Sequence, residues 1–162
     1  MQLLETIDKR LSKAEAVMIG LLLLFMSAVA FLQVITRYCF FHSLVWSEEI
    51  SRYCMVWLTF IGASLAVSKQ EHINIDLFSK KLNNFCRFDF RLILNILILI
   101  FLVCCIFYGI NLVISTYEGV QMTPAIGFPM FIVYLIVVLA LIAAAFHAAV
   151  RIILFFSGEK KA

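Results

Sequence analysis

Uncharged apolar runs long enough to cross a membrane occupy most of this sequence. Residues 16–36, 92–117 and 119–150 contain no Asp, Glu, Lys or Arg. At 1.5 Å per residue, each run spans the roughly 30 Å of a hydrocarbon core as an α-helix. The pattern therefore predicts at least three membrane-spanning helices.

A fourth run is too short to span by itself. Residues 53–68 carry no charge, but as a helix they reach only about 24 Å, which is less than a bilayer. The span must begin earlier. A helix over 46–68 reaches about 34 Å and places Glu48, Glu49 and Arg52 in its first two turns.

The composition agrees with a membrane protein. Of the 162 residues, 64% are hydrophobic and 14% are charged, and the mean hydropathy is +1.05. Soluble domains are about half apolar and about a quarter charged. The sequence therefore predicts an all-α integral membrane protein with four spans and no separate soluble catalytic domain. The first run is predicted to be a retained helix rather than a cleaved signal peptide, because apolar residues continue past the small-residue site at 28–30.

Lys and Arg residues fall unevenly on the two sides of the predicted spans. The two termini and the loop between the second and third spans share one side, which carries eleven Lys or Arg residues. The other side carries only Arg37 and Arg52. The positive-inside rule then predicts that both termini lie in the cytoplasm. The net charge of +3 reflects this topology, so no nucleic-acid partner is predicted.

Two segments outside the spans are amphipathic. In residues 73–88, apolar side chains recur at helical spacing and the lysines fall elsewhere, which predicts a helix on the inner membrane surface in contact with lipid. Residues 1–15 have a similar apolar stripe and are predicted to lead into the first span. The alternatives are a solvated loop and a frayed terminus. The residues are Ile75, Phe78, Leu82 and Phe85 with Lys80 and Lys81 in the first segment, and Leu3, Leu4, Ile7, Leu11 and Ala14 in the second.

Two prolines and two glycines precede the last span. Residues 124–128 are too few to cross a bilayer, so they are predicted to form a turn at the membrane surface. The last span is predicted over 129–155, with Pro129 in the first turn, where its missing N–H costs nothing. A re-entrant segment is the alternative, and it would need to be enclosed by protein.

No catalytic or cofactor chemistry is indicated. The five cysteines form no CxxC pair, so they are predicted to be buried thiols rather than a zinc site or a disulfide framework. Haem ligation by two histidines would need His72 and His147 to face each other at the inner surface. GxSxG, HExxH and phosphate-loop motifs are absent from the sequence. The chain is therefore predicted to be no enzyme and to have no catalytic, cofactor or metal residue.

The charges in the second span have a local and a functional explanation. Locally, Ser47 can cap the helix, Glu48 and Glu49 favour its N-terminal dipole, and Glu48 and Arg52 have the i, i+4 spacing of an ion pair. Functionally, ionisable side chains at a bilayer boundary face protein or water, which favours contact with a partner subunit. An ion path through this chain alone is disfavoured, because the third and fourth spans carry no carboxylate.

Several stretches resemble one family. Arg37-Tyr38, "WSEEISRYCMVWLTFIGASLA" at 46–66, "EHINID" at 71–76 and "TPAIGFPMFIVY" at 123–134 are similar to the small membrane subunit of tripartite ATP-independent periplasmic (TRAP) transporters. The resemblance implies a four-span protein of the bacterial inner membrane with both termini cytoplasmic. In that family a larger permease subunit carries the substrate and sodium sites and moves as an elevator. A periplasmic binding protein delivers an organic anion, and the small subunit flanks the static scaffold of the large one.

The resemblance also implies roles for individual residues. Residues that match its motif are expected in helix packing and in contact with the large subunit. Gly62 lies in a patch of small residues that lets another helix approach closely, either from the partner or within the chain. The matching residues are Glu48, Glu49, Arg52, Tyr53 and Trp57.

The expected function is that of a small accessory subunit in a sodium-coupled importer of an organic anion, such as sialic acid, a C4-dicarboxylate or a keto acid. Its expected partners are the large permease subunit, the periplasmic binding protein and membrane lipid. Two alternatives remain: a self-sufficient small four-helix transporter or channel, and a haem-bearing membrane anchor.

Overall fold

Four long helices make up nearly all of the described structure. The computed structural model describes residues 2–39, 41, 44–69 and 90–156. Within them no strand forms beyond one isolated bridge between Met122 and Pro129. All four helices are long and apolar enough to cross a membrane, so the predicted all-α, four-span fold is confirmed. The helices are α1 (Gln2–Cys39), α2 (Val45–Lys69), α3 (Phe90–Glu118) and α4 (Met130–Phe156).

The predicted surface helix over 73–88 lies outside the described residues, and so does the second histidine of the haem alternative, His72. The cytoplasmic location of the termini stays a prediction. For orientation, we call the end of the structure that holds the last residues of α2 and α4 the inner end. The opposite end, with the loop between α3 and α4, is called the outer end.

The first helix is longer than a membrane span. Its 38 residues extend about 57 Å, roughly twice the hydrocarbon thickness. The amphipathic N-terminus and the first span are thus one continuous helix. The buried face of its first turns is polar. Asp8 and Glu15 are buried, while Leu3 of the apolar stripe is 72% exposed and Ile7 is 43% exposed.

The helices pack in the order α1, α2, α4, α3, and α1 also makes a smaller contact with α4. The two middle helices contact each other, α1 packs on α2, and α3 packs on α4. Small residues on α4 allow α3 to lie close. Buried Ala144 and Ala148 pack against Leu102 of α3, and a Cβ built on Gly109 of α3 would lie 2.9 Å from a methyl group of Val138.

The two outermost helices expose large apolar side chains over most of their surface. In α1, Leu24 is 72% and Phe31 is 68% exposed, and α3 shows the same pattern. Such a surface does not suit water, but it is what a helix in contact with lipid or another membrane protein presents.

A compact turn joins α3 to α4. Thr123 is buried and holds the turn together. Its N–H donates to the Phe128 carbonyl at 2.8 Å, its carbonyl accepts from the Gly127 N–H at 2.9 Å, and its hydroxyl accepts from the Phe128 N–H at 2.9 Å. Gly127 has a φ of 70°, which glycine adopts without strain. The helix α4 begins at Met130, so Pro129 precedes it rather than occupying its first turn.

Candidate functional site

At the outer end, a buried glutamate connects α2 to the turn before α4. Glu49 is only 8% exposed. One carboxylate oxygen accepts from the hydroxyl of Tyr53 at 2.6 Å, and the other accepts from the backbone N–H of Ala125 at 2.9 Å. Because both oxygens have a donor, burial of this charge is compensated. Glu49 therefore fixes the position of the turn relative to α2.

About two helical turns beyond Glu49, Trp57 connects α2 to α4. Its indole N–H donates to the backbone carbonyl of Val133 at 3.1 Å. Of the five residues that match the family motif, Glu49, Tyr53 and Trp57 are therefore largely buried and hydrogen-bonded within the chain. A contact of these three side chains with a partner stays a prediction. Each of them already forms a hydrogen bond within the chain.

Glu48 and Arg52 behave differently, since both are exposed. Glu48 accepts a hydrogen bond from the side chain of Gln33 on α1 at 3.0 Å. Within the described part of the chain it forms no ion pair with Arg52, so the predicted i, i+4 pair is not present. Ser47 does not cap the helix either. It lies inside α2, and its hydroxyl donates to the carbonyl of Leu44 at 2.7 Å.

Glu48 and Arg52 begin an exposed stripe along α2. The stripe continues at i+4 or i+3 intervals, so its members share one side of the helix. Gly62 lies beside it, and a Cβ added there would meet nothing within 4 Å. The stripe carries two charges and two short residues, unlike the apolar surfaces of α1 and α3. We call it the α2 stripe: Glu48, Arg52, Met55, Thr59 and Ala63.

The inner end holds a buried polar cluster that the sequence analysis missed. His147 of α4 has no exposed surface. Its Nδ1 lies 2.6 Å from a carboxylate oxygen of Asp8, and its Nε2 lies 3.4 Å from an oxygen of Glu15. The doubly protonated ring is the form that can donate in both directions. Both carboxylates come from α1, so His147 joins the first helix to the last.

Four more residues complete this cluster. The Ser64 hydroxyl donates to Glu15 at 2.6 Å, and the hydroxyls of Ser12 and Ser68 contact each other. Arg151 donates to the backbone carbonyl of Ser68. Its guanidinium also lies 3.9 Å from Asp8. Three helices thus contribute to the inner polar cluster, whose members are Asp8, Ser12, Glu15, Ser64, Ser68, His147 and Arg151.

The inner polar cluster is built as a structural contact. The described residues contain no group of three His, Cys, Asp or Glu side chains arranged to hold a metal ion. The two ring nitrogens of His147 each face a carboxylate, so neither is directed at an open haem position. A signal for the cluster was present in the sequence as polar pairs at i, i+4 near one end of their helices: Asp8 with Ser12, Ser64 with Ser68, and His147 with Arg151.

Comparison with known proteins identifies the family. Residues 26–158 match the family described as "Tripartite ATP-independent periplasmic transporters, DctQ component". The chain belongs to this family. As a DctQ component it is a multi-pass protein of the inner membrane and part of a transporter rather than an enzyme.

Individual relatives agree with this assignment. The ectoine TRAP transporter small permease protein TeaB of Halomonas elongata is 28% identical over 132 residues, which cover 82% of this chain and 68% of TeaB. The sialic acid TRAP transporter small permease protein SiaQ of Vibrio cholerae is 29% identical over 97 residues, or 60% of this chain and 56% of SiaQ. The sialic acid TRAP transporter permease protein SiaT of Haemophilus influenzae is 31% identical over 110 residues, which cover 68% of this chain but 17% of SiaT.

The match places the two sites differently within the family. The outer site, with Glu49, Trp57 and the α2 stripe, lies wholly inside residues 26–158. The inner polar cluster joins Asp8 and Glu15, which precede the matched residues, to His147 and Arg151, which lie within them. The outer site is thus built from the part of the chain that DctQ components share.

Proposed function

We propose that this DctQ component supports the scaffold of a larger permease subunit that imports a small organic anion by sodium coupling. The single observation that carries the proposal is the α2 stripe, which places Glu48 and Arg52 on an exposed face at the outer end of a membrane span. Charges at this depth are costly against lipid and tend to face protein or water. A protein partner therefore explains why they are exposed.

The neighbouring residues support close contact with another helix. Gly62 leaves open space beside the stripe, and Ala63 and Thr59 are short. Without a hydrophobic force between helices in lipid, association depends on close packing at small residues and on interhelical polar contacts. The α2 stripe offers both.

The relative SiaT supports the identity of the partner. A segment similar to this chain makes up 17% of SiaT, which is named as a sialic acid permease. In that protein the small segment and a much larger remainder are therefore parts of one chain. We infer that this chain contacts a permease of similar size, with a periplasmic binding protein as the third component. The substrate class is a small organic acid such as sialic acid, a C4-dicarboxylate or a keto acid.

The test of this function is uptake of a labelled organic acid into proteoliposomes with a sodium gradient. Four preparations are compared: this chain alone, the large permease alone, both together, and both with the periplasmic binding protein. Uptake that needs the complete set, and that stops when sodium is replaced by potassium, supports the proposal. Uptake by this chain alone would instead support the self-sufficient transporter.

The interface has a separate test by co-purification with the large subunit. Arg52→Glu reverses a charge of the α2 stripe. The matched control Arg37→Glu reverses an exposed charge on α1, also at the outer end of the structure. Gly62→Leu fills the open space beside the stripe, and Gly20→Leu does the same on α1, where a Cβ also meets nothing within 4 Å. The stripe variants are expected to lose most of the partner while the controls retain it. Equal recovery of all four would exclude the stripe as the interface.

A further inference from the structure

We propose that the outward face of α1 at the inner end of the structure is a binding site for an anionic phospholipid. Arg10 and Lys13 lie at one end of an open, shallow depression along one side of α1, and the remaining residues that line it are apolar. The proposal does not depend on which substrate the transporter carries. We call this surface the α1 basic face: Arg10, Lys13, Ala14, Val17, Met18 and Leu21.

The spacing of these residues separates them from the inner polar cluster. They fall at i, i+3, i+4, i+7, i+8 and i+11, which is one side of a helix. Asp8 and Glu15 lie on the opposite side of α1, where they contact His147. Both cations are exposed, and neither forms an ion pair with a described residue. The face therefore has positive charge that no carboxylate in the described part of the chain neutralises.

Contacts between α1 and α2 fix the depth of the face. Ser12 contacts Ser68, and Glu15 accepts from Ser64. Ser68 is the next-to-last residue of α2, whose 25 residues extend about 37 Å, slightly more than the hydrocarbon thickness. Arg10 and Lys13 are therefore level with the lipid headgroups.

The apolar residues of the face continue from the headgroup level into the hydrocarbon. Val17 lies about 6 Å and Leu21 about 12 Å further along the axis than Lys13. They are 57% and 64% exposed. A phospholipid has matching groups at the same two levels, with a charged phosphate at the headgroup level and acyl chains in the hydrocarbon. Arginine favours phosphate because its planar guanidinium forms two parallel hydrogen bonds, and basic side chains at this level attract anionic lipid.

A lipid suits this face better than the partner subunit does. The face lies entirely before residue 26, where the match to the DctQ family begins. A surface for a partner common to the family is expected within the matched residues, as the α2 stripe is. Two adjacent cations that form no ion pair with a described carboxylate, beside the exposed apolar residues of the same face, fit an anionic phospholipid.

The test measures lipid binding to the full chain in neutral detergent by native mass spectrometry. Dioleoyl phosphatidylglycerol is compared with dioleoyl phosphatidylcholine, which has the same acyl chains and no net charge. We expect the variant Arg10→Gln/Lys13→Gln to bind phosphatidylglycerol about thirtyfold more weakly, since each basic residue near an anionic headgroup contributes roughly fivefold. The control Arg37→Gln/Lys69→Gln removes the same charge elsewhere and is expected to change the affinity by less than about threefold, because neither residue lies on this face.

Two results would overturn the site. One is equal affinity of the wild type for the two lipids, and the other is unchanged phosphatidylglycerol affinity in Arg10→Gln/Lys13→Gln. If that variant does not fold, the exchange Arg10→Lys/Lys13→Arg takes its place, and it must retain the preference for phosphatidylglycerol.

The occupant is identified in the assembled complex. A photo-crosslinking amino acid at Val17, activated in native membranes, is expected to give a lipid adduct by intact mass. A crosslink to the large permease, or to residues 70–89 of this chain, would show that protein covers the face and would refute the lipid site.

Discussion

Replacing His147 by leucine removes the only side chain that contacts both Asp8 and Glu15 in the inner polar cluster. The imidazole has no exposed surface. It lies 2.6 Å from one carboxylate and 3.4 Å from the other. Leucine is similar in size but offers no charge and no donor. The two buried carboxylates would keep Ser64 and Arg151 as partners and lose the group between them.

The size of the effect follows from these distances. At an effective dielectric constant of about 20, unit charges 2.6 Å and 3.4 Å apart attract by roughly 6 and 5 kcal/mol. Desolvation of each buried ion costs several kcal/mol, so the intact cluster contributes little net free energy. Removing one partner is different, because it leaves the other charges buried without compensation. We expect His147→Leu to lower the free energy of unfolding by about 3–5 kcal/mol.

A triple variant separates loss of charge compensation from loss of packing. Asp8→Asn/Glu15→Gln/His147→Leu removes the imidazole and both carboxylates that face it, so no carboxylate stays unpaired, and Arg151 keeps its hydrogen bond to the Ser68 carbonyl. Its free energy of unfolding is expected within about 2 kcal/mol of the wild type, since replacing a whole buried ion group by neutral residues is often tolerated. The control Ile142→Leu, on an exposed part of α4, should change stability by less than about 0.5 kcal/mol.

The assay is reversible unfolding of the full chain in mixed micelles, with the mole fraction of sodium dodecyl sulfate increased and helix content followed by circular dichroism. A cost of less than about 1 kcal/mol for His147→Leu, which is below the range for breaking a buried ion pair, would refute charge compensation by the imidazole. A triple variant that is no more stable than the single one would refute it as well. Either result would mean that the cluster is held by neutral packing.

Three further variants, one of them with a matched control, test individual contacts and a strained backbone position in the same unfolding assay. Gly109→Ala should lower the free energy of unfolding by about 1–3 kcal/mol, because the new Cβ would lie 2.9 Å from a Val138 methyl. The control Gly62→Ala, where the Cβ meets open space, should be neutral or slightly stabilising. Equal effects of the two would contradict the close approach of α3 to α4. Trp57→Phe keeps an apolar ring but loses the hydrogen bond to α4, so the free energy of unfolding should fall by about 1 kcal/mol. An unchanged value would mean that this hydrogen bond does not contribute to stability. Val120→Gly should raise the free energy of unfolding by about 1 kcal/mol. Val120 has a φ of 46°, a conformation that is strained for a branched residue and unstrained for glycine. Destabilisation would show that contacts of the valine side chain outweigh the backbone strain.

The number and position of the spans could be predicted because they depend on length and charge alone. A bilayer requires about 20 apolar residues per helix. Because the uncharged run 53–68 is shorter than this, the second span was predicted to begin near residue 46. The structure starts α2 at Val45, one residue earlier. Which side of each helix faces its neighbours could not be predicted. In a membrane, lipid-facing and buried side chains are both apolar, so hydrophobic periodicity does not mark the packed face.

Two neighbouring glutamates in the second span show that the packed face cannot be predicted from sequence. Glu48 and Glu49 are adjacent in sequence and matched the same family motif, yet one is exposed and the other is 8% exposed and doubly hydrogen-bonded. Their 100° separation around the helix decides the difference, and that direction depends on where α4 and its preceding turn lie. Sequence patterns near Glu49 contain no information about Ala125, which donates to it from a distant part of the chain.

The inner polar cluster was missed for a related reason. Residues 1–15 have both an apolar stripe and a polar stripe, and the sequence analysis identified only the apolar one. Burial of the polar stripe becomes favourable only when His147 and Arg151 supply partners, and those residues follow three other helices. The i, i+4 polar pairs mark a polar stretch on each helix, but they do not show which other helix supplies the partners.

The two ends of the structure together restrict motion of the helices past one another. At the outer end, Glu49 and Trp57 attach α2 to α4 and its turn. At the inner end, Ser64 and Ser68 attach α2 to α1 and α4. Sliding α2 by one turn, about 5.4 Å, would break bonds at both ends and leave buried charges unpaired, whereas the apolar contacts between the ends could be remade at the new register. The polar contacts at the ends, rather than the apolar middle, therefore fix the register of these helices, as the supporting role proposed above requires.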